Sequence, residues 1–270
     1  MKQEPINDLD LKEWKTGCEG IRTSSFWDIP RNDDPAGADF HGRFVREIPE
    51  QLIKRFTRKN DLVLDLFAGS GTTLRAAIGL QRRACGIDLD QGCIDRMREA
   101  FQKKGADDRI CVLRADSAAP SAQVIVRSVL YSKWGQDHAD LVLLHPPYSD
   151  VIRFTEHPDD LSAQGDDALF LIRMRAVCRN AYCLLKPGRY AALVMGDKYR
   201  GGEWVPLGFQ TMQCMQRAGF ILKSIVVKNV AGNEIGKGKR NNLWRYRALR
   251  HGFYVFGHEY LFLFQRPEKS

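Results

Sequence analysis

A glycine turn and three acids carry the first chemistry legible in this 270-residue chain. The turn Phe67-Ala68-Gly69-Ser70-Gly71-Thr72-Thr73 stands between an apolar run and a segment that reads as a helix. Glycines there let a ligand approach the backbone, and a helix N-terminus presents N–H groups that have no intrahelical partner. Asp65 lies just before the turn. Asp88 ends the next apolar run 23 residues later, the usual distance for a carboxylate that takes the hydroxyls of a ribose, and Asp116 ends the third run, where it could bond an adenine amino group. The set fits an adenosine-containing cofactor. A dinucleotide fits less well, because Leu74 stands where the third glycine of G-x-G-x-x-G belongs.

The second feature is His145-Pro146-Pro147-Tyr148, at the end of the apolar run that closes on Leu144. Each proline lacks an N–H and fixes φ, so the pair makes a rigid exit and leaves the Pro146 carbonyl as an acceptor. His145 offers one donor and one acceptor, and only when neutral. The third feature is basic. From Lys237 to His251 the chain reads KGKRNNLWRYRALRH, in which Lys237, Lys239, Arg240, Arg245, Arg247 and Arg250 alternate with Trp244 and Tyr246 without a single acid. That mixture suits phosphate contact plus stacking on bases. Lys198 and Arg200, beside Gly201 and Gly202, form a second candidate surface.

These features need a scaffold, and the pattern supplies one. LVLDLF after Asp61, Ala84 to Leu89, Arg109 to Ala115, Asp140 to Leu144 and Tyr190 to Met195 read as buried strands. Between them, Thr72 to Arg82, Gln91 to Lys104, Ser121 to Tyr131 and Asp167 to Leu185 read as helices, the last ending at the stop signal Lys186-Pro187-Gly188. Pro206 to Arg217 is a further helix. The alternation predicts an α/β fold, Rossmann-like and doubly wound, around a mostly parallel sheet. Phe220 to Lys228 and Phe253 to Gln265 should pair as an antiparallel terminal hairpin, joined by a long loop from Asn229 to Gly252 without a helix. The expected organisation is a single domain over residues 1–270, with an N-terminal extension over 1–39 and the basic insertion over 229–252.

VLDLFAGSGTT resembles the S-adenosylmethionine motif of DNA amino-methyltransferases, usually D-P-F-x-G-S-G-T-T, with Leu66 here replacing the proline. HPPY is similar to the D-P-P-Y, N-P-P-Y or S-P-P-Y of that family. The resemblance spans about residues 40–200 and implies a seven-stranded methyltransferase sheet. It implies that Asp65, Gly69 and Gly71 surround the methionine part of the cofactor, that Phe67, Ala68, Ser70, Thr72 and Thr73 also belong to the cofactor site, that Asp88 holds the ribose and Asp116 the adenine. His41 and Arg43, in a segment that resembles the helix preceding the cofactor turn, are candidates for its carboxylate. The implied reaction methylates adenine N6 or cytosine N4 in double-stranded DNA, with the target base flipped out. The amino lone pair is delocalised into the ring. Acceptors at residue 145 and the Pro146 carbonyl favour a tetrahedral nitrogen, and Tyr148 would stack on the base.

The rivals are methylation of RNA guanine N2 or of protein glutamine, and a catalytically silent nucleic-acid-binding protein of the same fold. The 41 Lys and Arg against 33 Asp and Glu give +8, in keeping with a polyanionic partner. The seven cysteines lack any C-x-x-C pair, so neither a metal site nor a disulfide framework is expected. No stretch approaches the ~20 apolar residues of a membrane span, and a cytoplasmic protein of restriction–modification type is expected, with a homodimer as a further candidate partner.

Overall fold

The computed structural model describes residues 5–29, 45–103, 105–106, 108–149, 154–229 and 241–268. Its centre is a sheet of ten-strand numbering from which eight strands assemble in the order β1-β9-β10-β6-β5-β2-β3-β4. The strands are β1 (Phe26–Trp27), β2 (Leu62–Asp65), β3 (Arg83–Asp88), β4 (Ile110–Arg114), β5 (Ala139–Leu144), β6 (Leu185–Met195), β9 (Ile221–Asn229) and β10 (His258–Gln265). β7 (Lys198–Arg200) and β8 (Glu203–Val205) form a separate hairpin. Strands β2 to β6 pair in parallel, and β10 runs antiparallel to both β6 and β9. The fold is the expected doubly wound α/β sheet with an antiparallel terminal hairpin. It has eight strands rather than seven, because Phe26 and Trp27 add a short parallel strand to β9. So brief a strand has no period for the sequence to display.

The central strands are apolar throughout because both faces are covered. All of Leu62–Asp65 and all of Ala139–Leu144 are buried. Side chains alternate between two cores. Leu62, Leu64, Val142 and Leu144 face one core with α4 (Ser121–Trp134), α5 (Asp167–Leu184) and α6 (Leu207–Arg217). Val63, Leu141 and Leu143 face the other, with α1 (Glu47–Phe56), α2 (Thr72–Gly79) and α3 (Gln91–Gln102). At the strands' amino ends, buried Asp140 accepts from the Leu62 amide and pairs with Lys186 and Arg189. That charge cluster stands at the end of the sheet opposite the glycine turn.

Two expectations need correction. Lys186-Pro187-Gly188 does not separate α5 from its strand: β6 begins at Leu185, and the segment is absorbed as an irregularity, with Leu185 opposite Ala139 and Tyr190 opposite Leu141. The connection from 229 to 252 is not helix-free either, because α7 (Asn241–His251) occupies its second half. Its described side chains are largely exposed, so no apolar stripe betrays it.

Candidate active site

The chain crosses from one half of the sheet to the other between β2 and β5, and ligands of such sheets bind outside the carboxyl ends at that switch point. Here the register decides which residues meet. Asp65 lies opposite Leu143, and the Leu66 amide donates to the Leu143 carbonyl at 3.1 Å. The glycine turn and His145-Pro146-Pro147-Tyr148 therefore leave the sheet side by side.

The turn is built around two carboxylates, Asp65 buried and Asp88 half-buried. Asp65, 2% exposed, accepts from the Phe67 amide at 2.9 Å, and the Thr73 hydroxyl lies beside it. Asp88 accepts from the Gly69 amide at 2.7 Å and from the Asp90 amide at 2.9 Å, which ties the turn to the end of β3. Gly69 and Gly71 have φ of 50° and 81°, a backbone that side chains disfavour, and Gly71 is the residue on which α2 begins. Ala68 is buried and donates to the Ile87 carbonyl, while the Ser70 carbonyl accepts from Arg75 at 2.6 Å and the Ser70 and Thr72 hydroxyls meet at 3.3 Å. Burial first, and the charge of Asp88 second, push Asp65 up to about 6 from 3.8. Burial likewise raises Asp88. Neither acid has an ion-pair partner among the described residues.

Asp116 differs. One oxygen accepts from the Ala118 amide at 2.9 Å and the other from Arg173 at 2.8 Å, so any ligand amino group would share a carboxylate that is already paired. His41 and Arg43 lie outside the described residues.

Beyond the prolines, the Tyr148 hydroxyl donates to Glu259 at 2.9 Å and stands 3.3 Å from Nε2 of His145. Glu259 is in register with Lys228, which donates to it at 2.6 Å, and both are buried. Lys228 and Glu259 were not singled out in the sequence. Charges within the two strand runs, Lys223 and Lys228 in one and Glu259 in the other, were the available signal, since buried charges require partners. Lys228 and His145 offset the effect of burial on Glu259 and hold it below its ordinary value. Burial holds His145 below 6.5, and burial, with the charge of Glu259, raises the Tyr148 phenol far above its ordinary value. The Tyr148 ring packs against Gly196, where an added Cβ would lie 2.9 Å from Cε2. Here the ring is edge-on to His145, with centroids 5.8 Å apart.

Ser149 follows at φ 51° and donates to Asp167, the first residue of α5, at 3.0 Å. A non-glycine residue in that region costs about 1–3 kcal/mol unless its surroundings hold it there. Asp167 also pairs with Lys198 at 2.5 Å and with Arg200 at 3.4 Å. Lys198 is 4% exposed, so it is a buried internal partner of Asp167 and not the nucleic-acid contact expected of it. A strand-end lysine beside glycines reads as mobile and exposed until Asp167 is placed next to it.

The β7–β8 hairpin turns on Gly201 and Gly202, with φ of 61° and 88°. Its Tyr199 meets Trp244 of α7 at 6.2 Å between centroids and Phe253 at 4.5 Å, and its hydroxyl donates to the Tyr254 carbonyl. Together with Arg247 and His251 these groups line a cavity of about 400 Å³. The hairpin that carries Lys198 and Arg200 thus packs against the helix of the basic segment. Arg247 lies over the Trp244 ring, and Arg250 over that of Tyr246. Lys237, Lys239 and Arg240 lie outside the described residues.

Residues 3–99 match the DNA methylase family model. That stretch is similar to DNA methylases over about a third of the chain. It contains the glycine turn and Asp88, whereas HPPY lies beyond it. Among curated proteins, 87 residues are 38% identical to the type II methyltransferase M.BglI of Bacillus subtilis, covering 31% of this chain and 22% of that one. Over 48 residues the chain is 48% identical to M.MjaI of Methanocaldococcus jannaschii, covering 18% of this chain and 16% of that one. The aligned parts are thus about a fifth of those relatives' lengths. TrmN from Thermus thermophilus has a TM-score of 0.53 at 19% identity, over 86% of this chain and 52% of that one. The [4+2]-cyclase SpnF has the same TM-score at 14% identity, over 86% of both chains. These two are likenesses of fold, and the stretch that matches the family model contains β2, β3 and the glycine turn between them. Among the described residues no helix is long and apolar enough to cross a membrane, and no cluster of His, Cys, Asp and Glu could hold a metal.

Proposed function

We propose that this chain transfers a methyl group from S-adenosylmethionine to the exocyclic amino group of a DNA base, adenine N6 or cytosine N4. The observation that carries the reading is the β2–β5 register, which sets HPPY beside the glycine turn of the stretch that matches the DNA methylase family model. The turn suits the cofactor: buried Asp65 and half-buried Asp88, with no ion-pair partner among the described residues, stand at the ends of β2 and β3, and α2 opens on a left-handed glycine. Bound there, S-adenosylmethionine supplies an electrophilic methyl group. Asp65 and the 67–73 backbone hold its methionine part, Asp88 its ribose and Asp116, shared with Arg173, its adenine end.

The chain's own work is done at the end of β5. His145 and the Pro146 carbonyl accept from the target amino group, which frees its lone pair to attack in line. Tyr148 supplies an aromatic face for a base brought out of the helix. The exposed Arg245, Arg247 and Arg250, with Trp244 and Tyr246, contact phosphate and stack on unpaired bases. The neutral form of His145, favoured by its burial, is the form that can accept.

The test is transfer of isotope-labelled methyl from the cofactor to unmodified duplex DNA, with tRNA and protein substrates in parallel, followed by nucleoside analysis. Label recovered as N6-methyladenine or N4-methylcytosine supports the reading. Label in RNA or protein alone, or none at all, overturns it. Sequencing DNA from expressing cells then gives the base and its sequence context.

A further inference from the structure

Tyr148 has one hydroxyl proton, and the structure directs it to Glu259 at 2.9 Å. Glu259 is held below its ordinary pKa chiefly by Lys228, so it is ionised and can only accept. The Tyr148 oxygen, having given its proton away, can only accept from His145 Nε2, 3.3 Å distant. A lone pair on Nε2 would face a lone pair on that oxygen. We propose that Lys228 and Glu259 act as positioning residues which, through the Tyr148 hydroxyl, place the proton of His145 on Nε2 and leave Nδ1 as its acceptor nitrogen. The relay runs across three strand ends: Lys228 of β9 to Glu259 of β10, then Tyr148 and His145 beyond β5.

This goes beyond the acceptor role proposed for His145 and rests on it only for its use in methyl transfer; the tautomer itself is a property of the resting protein. An Asp, Asn or Ser at that position has an acceptor oxygen in every rotamer. Imidazole has one acceptor nitrogen, and the wrong tautomer presents a donor to the amino group. A protein with histidine here therefore requires something to orient the proton, and a buried ion pair outside the reaction is otherwise costly. Lys228 and Glu259 are in direct cross-strand register behind Tyr148, both under one-tenth exposed. Of the described charged groups that act on His145, Glu259 favours its charged form and Lys228 opposes it; Asp197, beyond β6, acts on Tyr148.

The experiment is nitrogen NMR on protein labelled with 15N in its histidine rings, at pH 8, with the His145 signals assigned from a His145→Gln sample. The expected result is an Nε2 signal of protonated type and an Nδ1 signal of unprotonated type. A signal pair showing the proton on Nδ1, or an even mixture, overturns the proposal. Tyr148→Phe leaves the Lys228–Glu259 pair intact and should shift the ring towards a mixture; an unchanged tautomer in that variant also overturns it. Glu259→Gln, whose amide can donate to the Tyr148 oxygen, should do the same where it folds. The expected tautomer in a protein that methylates no DNA would refute the functional reading alone, and methylation by a protein with Nδ1 protonated would refute this proposal alone.

Discussion

Replacing Asp65 by asparagine should make the protein more stable at neutral pH and less able to hold its cofactor. Asp65 is 2% exposed, and burial, with a smaller contribution from Asp88, lifts it from 3.8 to about 6 against the opposing effects of the nearby Thr73 hydroxyl and the Phe67 amide. Its folded pKa lies above its unfolded one. The associated stability is therefore fully present below pH 3.8 and is lost as pH rises through about 6. At 1.36 kcal/mol per pH unit, the ionised carboxylate weighs about 3 kcal/mol against the fold above that window. Asparagine keeps an oxygen for the Phe67 amide and never ionises. Urea unfolding of both proteins at pH 4.5 and 7.5 isolates the contribution, because other titrating groups are common to the two. The difference should move in favour of Asp65→Asn by about 2 kcal/mol at the higher pH. A cationic cofactor reverses the sign for the wild type: it favours ionised Asp65, so binding should release protons below pH 6 and tighten as pH rises. Calorimetry in buffers of different ionisation enthalpy measures that release. A pH-independent difference between the two proteins, or a variant less stable at pH 7.5, would refute the reasoning.

Methyl transfer should fall on the acid side, with a midpoint below pH 6.5, because burial lowers the pKa of His145 and its charged ring cannot accept; a rate flat from pH 5 to 8 contradicts this. His145→Asp or His145→Ser should retain activity with the histidine-dependent limb removed from the pH–rate profile, and complete loss would argue against an acceptor role. Asp167→Ala removes a carboxylate that pairs with Lys198, 4% exposed, and should destabilise the fold by about 1–3 kcal/mol in denaturant unfolding. Arg247→Ala and Arg250→Ala should each lower the salt slope of DNA binding by about one, measured by titration at several salt concentrations, with unfolding curves little changed.

Much of the scaffold was legible because its signals are local. Apolar runs separated by helical periods located β2 to β6 and α2 to α6 to within a few residues, since strands covered on both faces must be apolar. What the sequence withheld was non-local or lacked a period. Trp27 joins the sheet through a two-residue strand, and α7 carries no apolar stripe. Lys198 looked like a surface cation because its partner, Asp167, lies 31 residues earlier. The glycine turn, Asp65, Asp88 and HPPY could be found from residue types, and the β2–β5 register brings them together. The Lys228–Glu259 pair could not, since only the antiparallel register of β9 and β10 reveals that these two charges meet behind Tyr148.

The small strand β1 reaches further than its size suggests. Trp27 lies opposite Lys228, and the Val227 amide donates to Ser25 at 2.8 Å, so the N-terminal segment docks on the very residues that hold Glu259. Docking of that segment and order in the charge pair are thus thermodynamically linked, and linkage is reciprocal. Whatever ligand tightens the pair must slow proteolysis and amide exchange around Ser25 and Val227 by the same free energy with which the docked segment strengthens that ligand's binding. A stretch of chain at the far edge of the sheet becomes, by that equality, a reporter of events around His145 and Tyr148.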